Sequence, residues 1–117
     1  MICATLGAAD SGVADIAKDD ELAALIAKTP GAVVVDFHSE SCGPCKELTK
    51  SLVAIVAEHP GAVTVLRVDV EQLPDLATAH KVESLPTVIL FKDGQPVDRI
   101  DGDVLPKDKL VTWILRP

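Results

Sequence analysis

The residues best suited to chemistry are two cysteines three positions apart, in the segment Cys42-Gly43-Pro44-Cys45. At that spacing on a helical turn, Cβ atoms stand about 5–6 Å apart. A slight tightening of the turn brings the two sulfurs within bonding reach. A pair that opens and closes a disulfide carries two electrons, so the chemistry indicated is thiol–disulfide exchange. The two sulfurs are not equivalent. Cys42 falls at the N-terminus of a predicted helix, where unpaired N–H groups and the helix dipole stabilise a thiolate. Cys45 falls on the apolar stripe of that helix with Leu48, Leu52, Ile55 and Val56, which predicts a buried thiol. Cys42 is therefore the expected attacking sulfur and Cys45 the resolving one. Pro44 suits the first helical turn, where a missing N–H costs nothing.

A Cys-x-x-Cys pair is also half of a structural zinc site. No second such pair exists, and His38, His59 and His80 lack finger-like spacing, so no metal is expected. The third cysteine, Cys3, lies in a weakly patterned segment that assigns it no role.

Periodicity outlines the elements that must position the pair. Residues 33–37 form a short, nearly all-apolar, β-branched run, which predicts a strand buried on both faces. The cysteine loop follows, then a helix over 43–58 and a second buried strand over 63–68. Strand, helix, strand at this spacing is a right-handed βαβ unit with parallel strands. Upstream, residues 13–16 predict a short edge strand. Asp19-Asp20-Glu21 then opens a helix with Leu22, Leu25 and Ile26 at helical spacing, ended by Thr29-Pro30-Gly31. Downstream come a short helix over 74–81, a third buried strand over 87–91 and an Asp93-Gly94 hairpin turn into 97–100. A last helix spans 106–115, with Leu110, Val111 and Ile114 on its core side. The fold class is α/β, a central mixed β-sheet flanked by helices on both faces.

A chain of 117 residues that is 48% apolar fills one core without a disulfide staple. The expected domain covers residues 13–117, preceded by a loose N-terminal extension over 1–12. With Phe37, Phe91 and Trp113 as the only aromatic residues, that core must be largely aliphatic. The net charge of −7 disfavours nucleic acid and anionic lipid as partners, because both require clustered Lys and Arg. No apolar run approaches the roughly 20 residues of a membrane span. The start lacks the positive n-region of a signal peptide, so a reducing, cytoplasmic setting is expected.

Val35-Asp36-Phe37-His38-Ser39-Glu40-Ser41-Cys42-Gly43-Pro44-Cys45-Lys46 resembles the active-site segment of the thioredoxin family. Ser84-Leu85-Pro86-Thr87 resembles its cis-proline loop, Phe91-Lys92-Asp93-Gly94 its hairpin, and Gly102 the glycine beside its substrate groove. The resemblance runs from about residue 13 to the C-terminus, with the motifs in family order. It implies the thioredoxin-like fold, a redox-active Cys42–Cys45 disulfide with no bound cofactor, and reduction of protein disulfides. Disulfide-containing proteins are the implied substrates and a thioredoxin reductase the implied electron donor, with the chain acting as a monomer. Pro44 between the cysteines implies a reductant, since oxidases and isomerases of this superfamily more often carry histidine there. A thioredoxin-like binding module, or a reductase dedicated to one partner, is the alternative.

The resemblance also assigns roles around the pair. Asp36 interrupts an apolar strand, so burial should raise its pKa. The family position implies that it exchanges a proton with the inner cysteine. A structural ion pair with Arg67 is the competing role for this carboxylate. Arg67 stands where the family commonly has lysine, and as a permanent charge it is expected to hold Asp36 more firmly ionised. Leu85 is expected to offer backbone groups to an extended substrate beside a cis Pro86, with Gly102 opposite. Gly43 and Pro44 shape the turn. Ser41 replaces a tryptophan, which removes an apolar docking ring, and could instead cap the helix. His38 replaces a second tryptophan and could tune the thiols. Lys50 replaces a kinking proline, and Asp101 and Asp103 are expected to make the groove rim acidic.

Overall fold

Strand β2 (Ala32–His38) crosses the centre of the molecule because nearly all of its side chains are buried, those on both of its faces included. The computed structural model describes residues 12–116. Cys3 and the expected extension as far as residue 11 lie outside the described residues. In chain order the elements are β1 (Val13–Asp15), α1 (Asp19–Lys28), β2, α2 (Gly43–Glu58), β3 (Val63–Asp69), α3 (Pro74–Ala79), β4 (Thr87–Lys92), β5 (Gln95–Asp101) and α4 (Lys107–Leu115). One five-stranded sheet has the order β1-β3-β2-β4-β5. β1, β3 and β2 are parallel, while β4 runs antiparallel to β2 and β5 antiparallel to β4. This is the thioredoxin-like α/β architecture with a mixed sheet.

Alternation along β2 divides the core. Val33, Val35 and Phe37 join Leu22 and Ile26 of α1 on one face, together with Leu66, Val68 and Phe91. Ala32 and Val34 join Leu48, Leu52, Ile55 and Val56 of α2 and Leu110 and Ile114 of α4 on the other. Asp36 therefore falls, by the period of two, on the face covered by α2.

Differences from the sequence reading are confined to element ends. α3 stops at Ala79 rather than residue 81, because Lys81 turns to a φ of 57° that ends helical geometry. β5 begins at Gln95, directly after a two-residue turn in which Asp93 and Gly94 both have positive φ, the geometry that matches strand twist. The first turn of α1 carries Asp19, Asp20 and Glu21, and the Glu21 carboxylate accepts from the Ala17 and Lys18 N–H groups.

Burial along α2 supplies a test. Leu52→Ala should destabilise by about 2–5 kcal/mol through the cavity it leaves. Val53→Ala, at a residue 46% exposed, should stay within about 0.5 kcal/mol. Urea denaturation of both variants checks the assignment, and equal losses would contradict it.

Candidate active site

Where β2 ends, the chain turns through Ser39, Glu40 and Ser41 and enters α2 with Cys42 as its N-cap. The Cys42 N–H donates to the Ser39 carbonyl at 3.2 Å. Cys42 Sγ accepts from the Cys45 N–H at 3.1 Å, which puts the sulfur on the positive end of the helix. Ser41 is thus not the cap. The cysteine itself occupies the capping position, and Ser41 Oγ lies 3.2 Å from Ser39 Oγ instead. Cys42 and Cys45 are joined as a disulfide with Cα atoms 5.3 Å apart. Cys42 is half-buried, while Cys45 is 2% exposed. Gly43 and Pro44 lie exposed between them in the opening turn, and α2 continues through Lys50 to Glu58 as one helix.

Beneath α2 lies Asp36, 0% exposed. Thr49, one turn after Cys45, donates its hydroxyl to Asp36 Oδ2 at 3.3 Å. Burial raises the Asp36 carboxyl from its ordinary 3.8 to about 6, against the lowering influence of Arg67 and of the Thr49 hydrogen bond. Arg67 and Asp36 form a long ion pair without a hydrogen bond. The sheet register sets Arg67 opposite Asp36, but Arg67 Nε stays 3.9 Å from Asp36 Oδ2. Its Nη1 donates to Asp15 on β1 at 2.8 Å. Desolvation therefore outweighs the guanidinium, and Asp36 titrates at about 6. A cleft of about 520 Å³ beside these groups is lined by Cys45, Thr49, Arg67, His38, Glu40 and Lys46 among others. Burial and then the Arg67 charge lower the His38 imidazole below the ordinary histidine value, against Asp69, Asp15 and Glu40. A neutral imidazole lends no positive charge to the thiols.

The second half of the site sits at the same end of the sheet, since Phe37 pairs with Thr87 and Thr87 with Asp101. The Leu85–Pro86 peptide is cis, and the Pro86 carbonyl accepts from the Gly102 N–H at 2.8 Å. Gly102 has a φ of +71°, which favours glycine, and a Cβ there would press on Ser84 Oγ at 3.0 Å. Leu85 packs its side chain toward the cluster holding Phe37. Thr87 Oγ1 donates to the Ser84 carbonyl at 2.7 Å.

Asp101 and Asp103 both lie exposed beside Gly102. The Asp101 carboxylate takes Nε and Nη2 of Arg99, which hold it below the usual carboxylate range. The same guanidinium donates to the carbonyls of His80 and Lys81. Arg99 and Thr49 escaped the sequence reading, which named Ser84 only as part of the cis-proline loop. A lone arginine in a strand otherwise read as an ordinary hairpin arm was the one available signal.

A half-buried sulfur at a helix N-terminus, bonded to a fully buried one above a carboxyl raised to about 6, constitutes a thiol–disulfide exchange site. The family model for thioredoxin matches residues 13–116. Thioredoxin of Chlamydia trachomatis is 49% identical over 84 residues, spanning 72% of this chain and 80% of that protein. Thioredoxin of Staphylococcus aureus is 42% identical over 80 residues, spanning 68% and 76%. The oxidised mitochondrial thioredoxin 3 of Saccharomyces cerevisiae superposes with a TM-score of 0.76 at 28% identity, covering 91% of this chain and 96% of that one. The chain belongs to the thioredoxin family. Its activity is that of a thioredoxin-type protein-disulfide oxidoreductase.

The raised Asp36 value carries a sign. The folded protein binds the Asp36 proton more tightly than the unfolded chain does. The resulting stabilisation is present below pH 3.8 and is lost as pH rises through about 6. Relative to Asp36→Asn, the native protein should lose about 3 kcal/mol between pH 3.5 and 7.5. Chemical denaturation of both across that range measures the difference. A flat difference would mean that the carboxyl is not perturbed.

Proposed function

We propose that the chain is a general reductant of protein disulfides in which Cys42 attacks and Cys45 resolves. The contrast in burial between the two sulfurs carries this reading. In the reduced protein, the Cys42 thiolate adds to one sulfur of a substrate disulfide and expels the other as a thiolate, leaving a mixed disulfide. Cys45 gives up its proton to the Asp36 carboxylate and attacks Cys42 Sγ, which breaks the mixed disulfide and releases the second substrate thiolate. Two electrons pass to the substrate, the Cys42–Cys45 disulfide remains, and the proton on Asp36 returns to solvent. Arg67 supplies fixed positive charge near that proton.

Substrate chain lies extended along Leu85, whose backbone can pair by strand addition, with Pro86 and Gly102 shaping the groove and Gly43 and Pro44 the turn. Ser41 leaves the Cys42 side of the groove without an aromatic platform. The functional unit is residues 13–117, acting as a monomer with no bound cofactor. A thioredoxin reductase returns the disulfide to the dithiol, which makes the chain a link in electron transport to cytoplasmic disulfides. No helix among the described residues is long and apolar enough to cross a membrane, and the excess of acid over base gives nucleic acid no footing.

Dithiothreitol-driven reduction of insulin tests the reading. The native protein should accelerate it, Cys42→Ser should reduce the rate to the uncatalysed level, and Cys45→Ser should accumulate a mixed disulfide with substrate. Failure of the folded native protein would favour the dedicated reductase or the binding module.

A further inference from the structure

Arg67 stands between two carboxylates, paired in register with Asp15 on β1 and with Asp36 on β2. Its guanidinium hydrogen-bonds only one of them. Nη1 donates to Asp15 Oδ1 at 2.8 Å, whereas the buried Nε, 3.9 Å from Asp36 Oδ2, donates to nothing. Asp36 Oδ1 is likewise buried and accepts no hydrogen bond. Burial alone would select the reverse arrangement. A guanidinium can present Nε and an Nη together as a fork to one carboxylate. The attraction is stronger where water is excluded. Yet the fully buried Asp36 goes without the fork, and Asp15, whose side chain is 74% exposed, holds one prong of it.

We infer that Asp15 is a positioning residue that holds the Arg67 guanidinium off the Asp36 carboxyl and so keeps Asp36 from being locked as a carboxylate. The inference rests on the reading of Asp36 as proton acceptor for Cys45 and adds to it a device on the edge strand. β3 presents Arg67, with Asp15 beyond it on β1; α2 presents Thr49, with Cys45 one turn earlier; β4 presents the apolar Val88 in register. His38, Glu40, Lys46 and Asp69 line the adjoining cleft with Asp15, whose charge also raises the His38 imidazole. The Asp15 charge itself raises the Asp36 carboxyl while Arg67 lowers it. Loss of Asp15 therefore acts in one direction by both routes.

The test is to follow the Asp36 carboxyl by carbon-detected NMR titration in the oxidised protein. In Asp15→Ala the midpoint should fall by about one pH unit as the fork closes on Asp36. Asp15→Asn, which keeps an acceptor but no charge, should shift it less in the same direction. Asp15→Glu should restore a value near the native one. An unchanged or raised midpoint in both neutral variants would overturn the inference, because a merely structural Asp15 would alter stability without moving this titration. The acid limb of insulin reduction distinguishes the underlying reading. It should move to lower pH with the Asp36 midpoint in Asp15→Ala. If the midpoint falls and the limb stays, Asp15 positions Arg67 as inferred, and the proton-acceptor role of Asp36 is what fails.

Discussion

A carboxyl group with no access to water is costly wherever it sits, and this fold places one in the middle of its central strand. Asp36 occupies a position that alternation assigns to the core face under α2, among Ala32, Val34, Leu48 and Leu52. An apolar residue there would pack without penalty. The position makes sense only in relation to the helix above it, whose first turn carries the disulfide and whose second carries Thr49. The parallel register of β1, β3 and β2 then lines up Asp15, Arg67 and Asp36 across the sheet, so the electrostatics of the site are fixed by backbone pairing. Stability is surrendered at neutral pH to keep an ionisable group beside a thiol, a common pattern at functional sites.

The groove side is organised on a different principle. Among the described residues, no fully buried side-chain polar atom there lacks a hydrogen-bond partner. Arg99 joins the carbonyls that end α3 to Asp101 at the end of β5, and Thr87 joins Asp101 and Ser84. The cis-proline loop is thereby tied on both flanks to ordered backbone. Gly102 closes the arrangement with its own N–H on the Pro86 carbonyl, and its missing side chain leaves room for Ser84. Thiol chemistry and substrate docking thus rest on separate supports that meet at one end of the sheet.

Much of this was legible in the sequence, and the reasons divide cleanly. Strands such as β2 and β3 declared themselves because burial on both faces demands continuous β-branched residues, and α2 because its stripe recurs at helical spacing. The disulfide pair followed from the three-residue interval at a strand-to-helix junction. The orientation of Arg67 was not legible, because the residue that captures its guanidinium lies 52 positions away on an edge strand of three residues. Strand register decides such an encounter, and local pattern carries no record of it. Of the two readings of Ser41, a tolerated polar replacement or a helix cap, the cap fails for a smaller reason. Cys42 can serve as its own helix cap through sulfur, a role that residue type alone does not advertise. Arg99 was missed because its partners come from α3 and from two residues further along its own strand, which only the folded arrangement brings together.

Trp113 is the chain's single tryptophan. Its indole N–H donates to Asp98 at 2.9 Å, and Arg116 bonds the same carboxylate oxygen at 2.9 Å. The ring is therefore anchored where α4 meets β5, in the place of neither of the rings that its relatives commonly carry near the cysteines. Its emission is accordingly a gauge of whether the C-terminal helix is docked. Intrinsic fluorescence separates folding from thiol state in this chain, where a tryptophan next to the disulfide would report both at once.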